Sequence, residues 1–301
     1  MKRKTRLMQN RIAGVILLAL LFVIVYYISI QEARTDTVNQ AGSMEVHFID
    51  VGQGDAILVE ADNSALLIDA GDSNKRSVIT DYLNSRNITK LDYVIATHPH
   101  SDHIGGLDTV LHTYEVEKLI LPDVVHTTKT YENLLDTIED RNLSVTKAQV
   151  GSLYYLGSAS FTILAPNSKN YEDVNNYSIV IRLCYGDSVF LFTGDAESLS
   201  EEEMLNSGTD LSADVIKLGH HGSAYSSSKE FIEAVNPDYA VVSVAGDNDY
   251  GHPHTGTLRT ISRQNIKLYR TDKQGTIVFH TDGNTISVNK DSYKITKKDL
   301  E

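Results

Sequence analysis

From residue 44 to about 288 the apolar residues fall in short runs separated by polar turns. EVHFIDV, AILVEA, ALLIDA, DYVIAT, KLILP, FTILAP, SIVIRLCYG and SVFLFTG read as strands, and DVIKLG, YAVVSV, IKLYRT and GTIVFH follow them. Helical spacing of apolar positions appears over residues 77–86, 131–141, 197–206, 229–235 and 255–264. Strands come first in succession, then alternate with helices, and the second half does the same. The pattern predicts one mixed α/β domain over 44–288, with no sequence repeat, low-complexity stretch or Pro/Gly-rich break. The last residues, 289–301 (NKDSYKITKKDLE), are charged and are expected to fray.

A different pattern precedes the domain. Residues 12–30, IAGVILLALLFVIVYYISI, run for 19 positions without a charge. As a helix this stretch would be roughly 28 Å long, close to the hydrocarbon thickness of a bilayer. Lys2, Arg3, Lys4, Arg6 and Arg11 lie before it and no acid occurs before Glu32. The positive-inside rule therefore makes 1–11 a cytoplasmic basic segment, 12–30 a transmembrane anchor and 31–43 a linker. The domain is then extracytoplasmic, on a single-pass protein of the cell membrane. A cleaved signal peptide would have a shorter apolar region ending at a small-x-small site, and QEARTDTVNQAGS offers none.

Charge sharpens this reading. The formal net charge is −13, and removing those five cations leaves 22 of the 27 basic residues against all 40 acidic ones. Such a body has no general attraction for nucleic acid, so a polyanionic substrate needs a local positive feature such as a metal ion. The one cysteine, Cys184, excludes an internal disulfide and a cysteine-based zinc site; it reads as a buried strand residue.

Ligand-type side chains collect where the strands end. THPHSDH places His98, His100, Asp102 and His103 directly after an apolar run. So many imidazoles and carboxylates in one turn suit a cation, and the donor types fit zinc, manganese or iron. FLFTGDAE delivers Asp195 after a strand, VIKLGHHGS delivers His220 and His221, and LLIDAGDS and DVGQGDA deliver Asp69, Asp50 and Asp55. NDYGHPHTGT adds His252. Several strands thus empty onto one edge of a layered sheet.

THPHSDH resembles the H-x-H-x-D-H signature of the metallo-β-lactamase superfamily, and LIDAG, FTGD and HHGS occur in the order that family shows. FIDVGQGDAILVE, TGDAE, KLGHHGS, YGHP and RTDKQGTI resemble, more narrowly, the hydrolase domain of ComEC-type competence (DNA-uptake) proteins. The resemblance implies a four-layer αββα sandwich with a dinuclear site at one edge. It implies that His98 and His100 hold one of two divalent metal ions, zinc or manganese. Asp102 and His103 hold the other, Asp195 bridges them, and either His221 or His220 completes the ligand set of the second ion. Asp69 braces the metal loop.

One departure stands out. The family's further histidine before the bridging aspartate is absent; that interval holds only His112 and His126, and the expected place reads DVNNYSIVIRL. Asn175 or Asn176 would approach the metal or substrate there, with Ser178 nearby, and an oxygen-rich site shifts preference from zinc toward manganese. The expected chemistry is hydrolysis of a phosphodiester, with DNA as one candidate substrate. Asp102 or Asp195 would take the attacking water's proton, and His252 would donate a proton or touch the substrate. Ser223 would bind a substrate oxygen, and Asp55 would line the pocket and orient a ligand histidine. A phosphocholine, phospholipid or cell-wall phosphodiester is the alternative substrate, and a non-catalytic binding module of the same fold is the alternative class.

Overall fold

The strands are nearly continuous apolar runs because they are covered on both faces, which removes the in–out alternation of a half-exposed sheet. The computed structural model describes residues 42–301; the segment 1–11, the anchor expected over 12–30 and the linker as far as residue 41 lie outside the described residues. Among the described residues, no helix is long and apolar enough to cross a membrane.

Strands numbered along the chain form two sheets. One holds β1 (Met44–Phe48), β2 (Ile57–Ala61), β3 (Ser64–Ile68), β4 (Lys90–Ile95), β5 (Glu115–Leu121), β6 (Val145–Lys147), β14 (Ile277–Thr281) and β15 (Ile286–Val288). Its order is β15-β14-β1-β2-β3-β4-β5-β6. The other holds β7 (Leu153–Leu156), β8 (Ala159–Ala165), β9 (Val180–Tyr185), β10 (Ser188–Phe192), β11 (Val215–Lys217), β12 (Tyr239–Val242) and β13 (Lys267–Arg270), in the order β13-β12-β11-β10-β9-β8-β7. Each sheet is antiparallel in one half and parallel in the other: β3 to β6, and β10 to β13, are the parallel halves. Parallel neighbours need crossovers, and their carboxyl ends share one edge, where ligands of open α/β sheets bind.

The helices are α1 (Arg76–Ser85), α2 (Ser101–Ile104), α3 (Leu107–Thr113), α4 (Lys129–Asp140), α5 (Ser198–Asn206), α6 (Lys229–Val235), α7 (Thr255–Arg263) and α8 (Thr271–Gln274). Three apolar clusters join the layers. Phe48, Phe161, Phe190, Phe192 and Phe279 fill the space between the sheets, with Phe48 5.8 Å from Phe279 and 6.0 Å from Phe192. Ile79 and Leu83 of α1, Val110 and Leu111 of α3 and Leu134 of α4 cover the outer face of the first sheet. Met204 of α5, Phe231 and Ile232 of α6 and Leu258 and Ile261 of α7 cover the second.

Helix limits match the apolar spacing to within two residues, and the strands named from the sequence all form. Missed were β6, β7 and β15, short strands with exposed positions such as Leu153 and Tyr155, whose burial is too slight to leave a pattern. Cys184 is half-buried rather than buried, with the Arg182 guanidinium 3.1 Å from its sulfur.

The charged segment 289–301 does not fray. The Tyr293 amide donates to the Leu268 carbonyl at 2.7 Å, and Tyr293, Ile295 and Leu300 pack on the second outer core. Asp299 closes a capping box with Thr296 and faces Arg270 at 3.5 Å. The charges sit outward while three apolar side chains dock, which composition alone does not reveal. Deleting residues 292–301 should cost about 3 kcal/mol of stability and lower Tm by roughly 6–12 °C. An unchanged Tm in a thermal melt would show that the segment is not docked.

Candidate metal centre

The parallel halves of both sheets end on the same edge. Asp69 follows β3, Thr97 and His98 follow β4, Asp195 follows β10, and His220 and His221 follow β11. Backbone hydrogen bonds tie the loops together: Asp69 N–H to Ile95 O at 2.9 Å, Ala70 N–H to His103 O at 2.7 Å, Gly71 N–H to Asp55 O at 2.8 Å. Gly54 has φ +119°, and a Cβ there would lie 2.1 Å from the Asp102 carbonyl oxygen. No L side chain fits that approach, which explains the glycine in GQGD.

Hydrogen bonds at the rear of each ring fix which nitrogen faces the centre. The buried Asp69 carboxylate accepts from the Thr97 amide (2.8 Å), the Thr97 hydroxyl (2.6 Å) and His103 Nδ1 (2.7 Å). The Thr97 hydroxyl donates its one hydrogen to Asp69, so it accepts from His98 Nδ1 at 3.1 Å. His221 Nδ1 donates to the Ser243 carbonyl at 2.9 Å. His98, His103 and His221 therefore all present Nε2 inward, with a lone pair when neutral; metal-binding histidines are held in this way.

The inward atoms meet at ligand spacing. Donors on one tetrahedral ion at about 2.0–2.2 Å lie roughly 3.3–3.6 Å apart. His103 Nε2 is 3.3 Å from His221 Nε2 and 3.3 Å from Asp195 Oδ1. His221 Nε2 is 3.2 Å from Asp102 Oδ2 and 3.4 Å from Asp195 Oδ2. Asp195 Oδ1 is buried with no aligned hydrogen-bond partner. Two imidazole lone pairs and an orphaned carboxylate oxygen aimed at one point fit a cation. A second, looser set surrounds the other Asp195 oxygen: His98 Nε2 at 3.8 Å, with His100 Nδ1 3.1 Å from His98 Nε2, and His220 Nε2 at 3.7 Å. His220 is the more exposed of the pair and is held through Nδ1 by Glu197 at 3.2 Å.

Asp55 shares the neighbourhood of His103, Asp195 and His221, yet it is not placed as a ligand. It lies behind the His221 ring, 3.6 Å from Nδ1, and is paired with the fully buried Lys217 ammonium at 2.8 Å. His220 and His221 have φ of 47° and 54°, and Gly222 follows at 82°. Successive non-glycine residues in the left-handed region are costly and cluster at functional sites. Here they turn two adjacent imidazoles to the same side of the chain.

Burial and charge set the protonation. Burial alone would lower His103, yet the carboxylates of Asp195, Asp69 and Asp102 hold it well above the usual histidine range. His221 is likewise raised against burial, to about 9, by Asp195 and Asp102. Burial would lift the two carboxyls, but His103 and His221 keep Asp102 below and Asp195 well below the ordinary range. Burial pushes His98 well down and His100 down. His252 is lowered to about 4 by burial and by His220 and His221, so it is neutral at pH 7.

The centre opens into a cleft of about 390 Å³ lined by Gln53, His100, Asp102, Asp195, His220, His221, Tyr250 and His252, with Ser101, Thr128 and Thr130. Three expected substrate contacts are elsewhere. Ser223 is buried, its hydroxyl accepting from the Tyr225 amide at 3.2 Å. Asn176 is buried and its side-chain oxygen accepts from the Glu197 and Ser200 amides, capping α5. Asp55 is committed to Lys217. Each satisfies a neighbouring group instead of facing the cleft. Ser178 does the same, accepting from the Asp195 amide at 3.0 Å, while Asn175 reaches Glu197 at 3.3 Å and lies 3.5 Å from His220 Nδ1. His126 packs edge-on to His100, 5.8 Å between centroids. Thr97, Glu197, Lys217, Gln53 and Tyr250 went unnoticed in the sequence, although each sits inside or beside a motif.

Comparison with known proteins bears directly on this arrangement. The family profile described as Metallo-beta-lactamase superfamily matches residues 49–246. The chain belongs to the metallo-β-lactamase superfamily. It is 31% identical over 253 residues to ComE operon protein 3 of Bacillus subtilis (strain 168), covering 78% of this chain and 33% of that protein. It is 32% identical over 233 residues to competence protein ComA of Neisseria gonorrhoeae, covering 76% and 31%. The chain spans about a third of the length of these relatives, and the resemblance to ComEC-type competence proteins is borne out. Among solved structures, the metallo-beta-lactamase fold protein YhfI of Bacillus subtilis superposes with a TM-score of 0.53 at 14% identity, over 80% of this chain and all of that one. CmlA beta-hydroxylase (E377D mutant) gives 0.54 at 14%, over 78% and 53%. At such identities these two show the fold alone.

Three outcomes follow. Asp69→Asn leaves the carboxylate's shape but reverses one donor–acceptor pairing, so metal affinity should fall about 10- to 100-fold while the fold persists; equilibrium dialysis at a range of zinc or manganese concentrations measures it, and unchanged affinity contradicts the bracing role. The carboxylates around His103 and His221 favour their charged forms, whereas a ligand imidazole must be neutral, so metal uptake should release protons and weaken as pH falls, read as a buffer-dependent heat in titration calorimetry. In the metal-free protein the stabilisation from His221, whose folded pKa is raised, is fully present below about pH 6.5 and is lost as pH rises through about 9. Denaturation midpoints of metal-free protein should therefore drop across that window.

Proposed function

We propose that this protein is a membrane-anchored, outward-facing phosphodiesterase that uses two divalent ions, zinc or manganese, and acts on DNA. The observation that carries the hydrolase reading is the convergence of His103 Nε2, His221 Nε2 and the carboxylates of Asp102 and Asp195 within 3.2–3.4 Å contacts at the floor of an open cleft. Names of the relatives refer to competence, which supports a DNA substrate. The apolar stretch at 12–30 with basic residues before it supports the anchor and its orientation.

His103, His221, Asp102 and Asp195 would hold one ion, and His98, His100, Asp195 and His220 the other. Ions held there would supply Lewis acidity and lower the pKa of water in the cleft. The chain's own groups do the rest. Asp102 is the more exposed of the two carboxylates lining the cleft, and it would take a proton from water there. His252, neutral at pH 7 and with a buried unpartnered Nδ1, serves as a hydrogen-bonding contact to substrate rather than as an imidazolium proton donor. Asp69 and Ser243 keep the imidazole nitrogens oriented throughout.

One observation favours a second substrate class, a phosphocholine, phospholipid or cell-wall phosphodiester: among the described residues no lysine or arginine lines the cleft. A non-catalytic module would have no need of the complete, oriented donor set.

The deciding experiment uses the full chain purified in detergent, loaded with manganese or zinc and assayed on single- and double-stranded DNA. Wild type should cleave, whereas His98→Ala and Asp195→Ala should lose at least about 100-fold in rate with unchanged circular dichroism. Equal activity in the variants would overturn the site; metal-loaded wild type that leaves DNA intact would overturn the nuclease reading and move the substrate to the second class.

A further inference from the structure

We infer that Tyr250 is a stacking platform for a nucleobase next to the scissile phosphodiester, so that the enzyme takes unpaired rather than duplex strands. The inference rests on the phosphodiesterase reading above and names the part of the substrate that provides affinity.

Tyr250 is 66% exposed yet lines the cleft, a different position from an isolated surface tyrosine. Its ring lies almost parallel to His252, 26° between planes and 5.6 Å between centroids. His252 in turn contacts His220 at 5.4 Å and His221 at 6.3 Å. The tyrosine therefore stands one ring outward from the metal-binding histidines, with one face supported and the other open.

The loop is already ordered. Asn248 donates to the carbonyls of Ala245 (2.7 Å) and His252 (2.8 Å) and accepts from the His252 amide at 2.9 Å. His254 anchors its far end, the amide donating to Gly222 O and Nδ1 accepting from the Ala224 amide, both at 2.9 Å. Ala245 N–H reaches Gln53 Oε1 at 3.3 Å at the near end. A loop backbone held this way loses little conformational freedom when a ligand stacks on its tyrosine.

Electrostatics narrows the ligand. No lysine or arginine among the described residues lines the cleft, and Asp247 and Asp249 lie exposed on the same loop. Inside the cleft a backbone phosphate beyond the reacting one thus meets no lysine or arginine, and the counterion release that dominates most nucleic-acid binding is weak there. The base is the remaining handle, and stacking on an aromatic ring supplies sequence-tolerant affinity. A base inside a duplex has both faces covered by neighbours, so only an unstacked base or a strand end reaches the platform.

The test compares two esters with the same p-nitrophenyl leaving group: thymidine 5′-(p-nitrophenyl phosphate), which carries a base, and methyl p-nitrophenyl phosphate, which does not. Full-length, manganese-loaded protein should show a lower KM for the thymidine ester. Tyr250→Ala should raise that KM about tenfold or more, leave kcat and the methyl ester unchanged, and Tyr250→Phe should restore it. KM should move little between about 50 and 200 mM salt. Equal KM in wild type and Tyr250→Ala, or equal loss on both esters, overturns the platform. So does a Tyr250-dependent KM for p-nitrophenylphosphorylcholine with none for the thymidine ester, which would assign the ring to a quaternary ammonium. Anisotropy of labelled oligothymidylate against an abasic strand is read on the same samples. If neither ester is hydrolysed, the phosphodiesterase reading fails, and a Tyr250-dependent preference for the base-bearing strand still upholds the platform while its absence overturns it.

Discussion

A single buried carboxylate organises the centre. Asp69 accepts from the Thr97 amide, the Thr97 hydroxyl and His103 Nδ1, and through the Thr97 hydroxyl it sets the tautomer of His98 as well. Its own φ is +58°, an uncommon conformation for a residue with a side chain, stabilised by its amide bond to Ile95 O. Burial pushes its carboxyl upward, while His103 and Thr97 pull it back. His103 and His98 of the THPHSDH turn thus take their orientation, directly or at one remove, from the end of a neighbouring strand.

Charge balance around the centre depends on a second buried pair. Lys217, the last residue of β11, neutralises Asp55 and donates to the Leu218 carbonyl at 2.9 Å. The pair sits behind His221, so a carboxylate that shares the ligands' neighbourhood is kept from their side of the ring. A buried pair of this kind contributes little net stability against an apolar pair. Its effect here is to place one negative charge where it steadies an imidazole without joining the donor set.

Much of this was legible in the sequence because strand ends are where backbone geometry is least negotiable. The apolar runs marked β1 to β5 and β8 to β14, and the imidazoles and carboxylates that follow them, His98, His100, Asp102, His103, Asp195, His220 and His221, do converge at one edge. What stayed hidden depends on which way a side chain turns. Asn176, Ser223 and Asp55 stand within a few residues of the centre and point to backbone amides or to Lys217 instead. Nor could the chain alone say which of two neighbouring histidines is buried; the carbonyl of Ser243, 22 positions away, orients His221. The docked segment 289–301 escaped notice for the same reason, since its three apolar anchors are spread among charges.

The donors divide between the two sheets: His98, His100, Asp102 and His103 belong to the loop after β4, whereas Asp195, His220 and His221 follow β10 and β11. An ion bound among them is a rivet through the sandwich, not an ornament on one loop. Separating the sheets would destroy the ligand set, so an ion bound there would stabilise the folded state by linkage. The population of native molecules would then report how much metal the surroundings provide. Scarcity of that metal would then be felt in the protein's stability as well as in its chemistry.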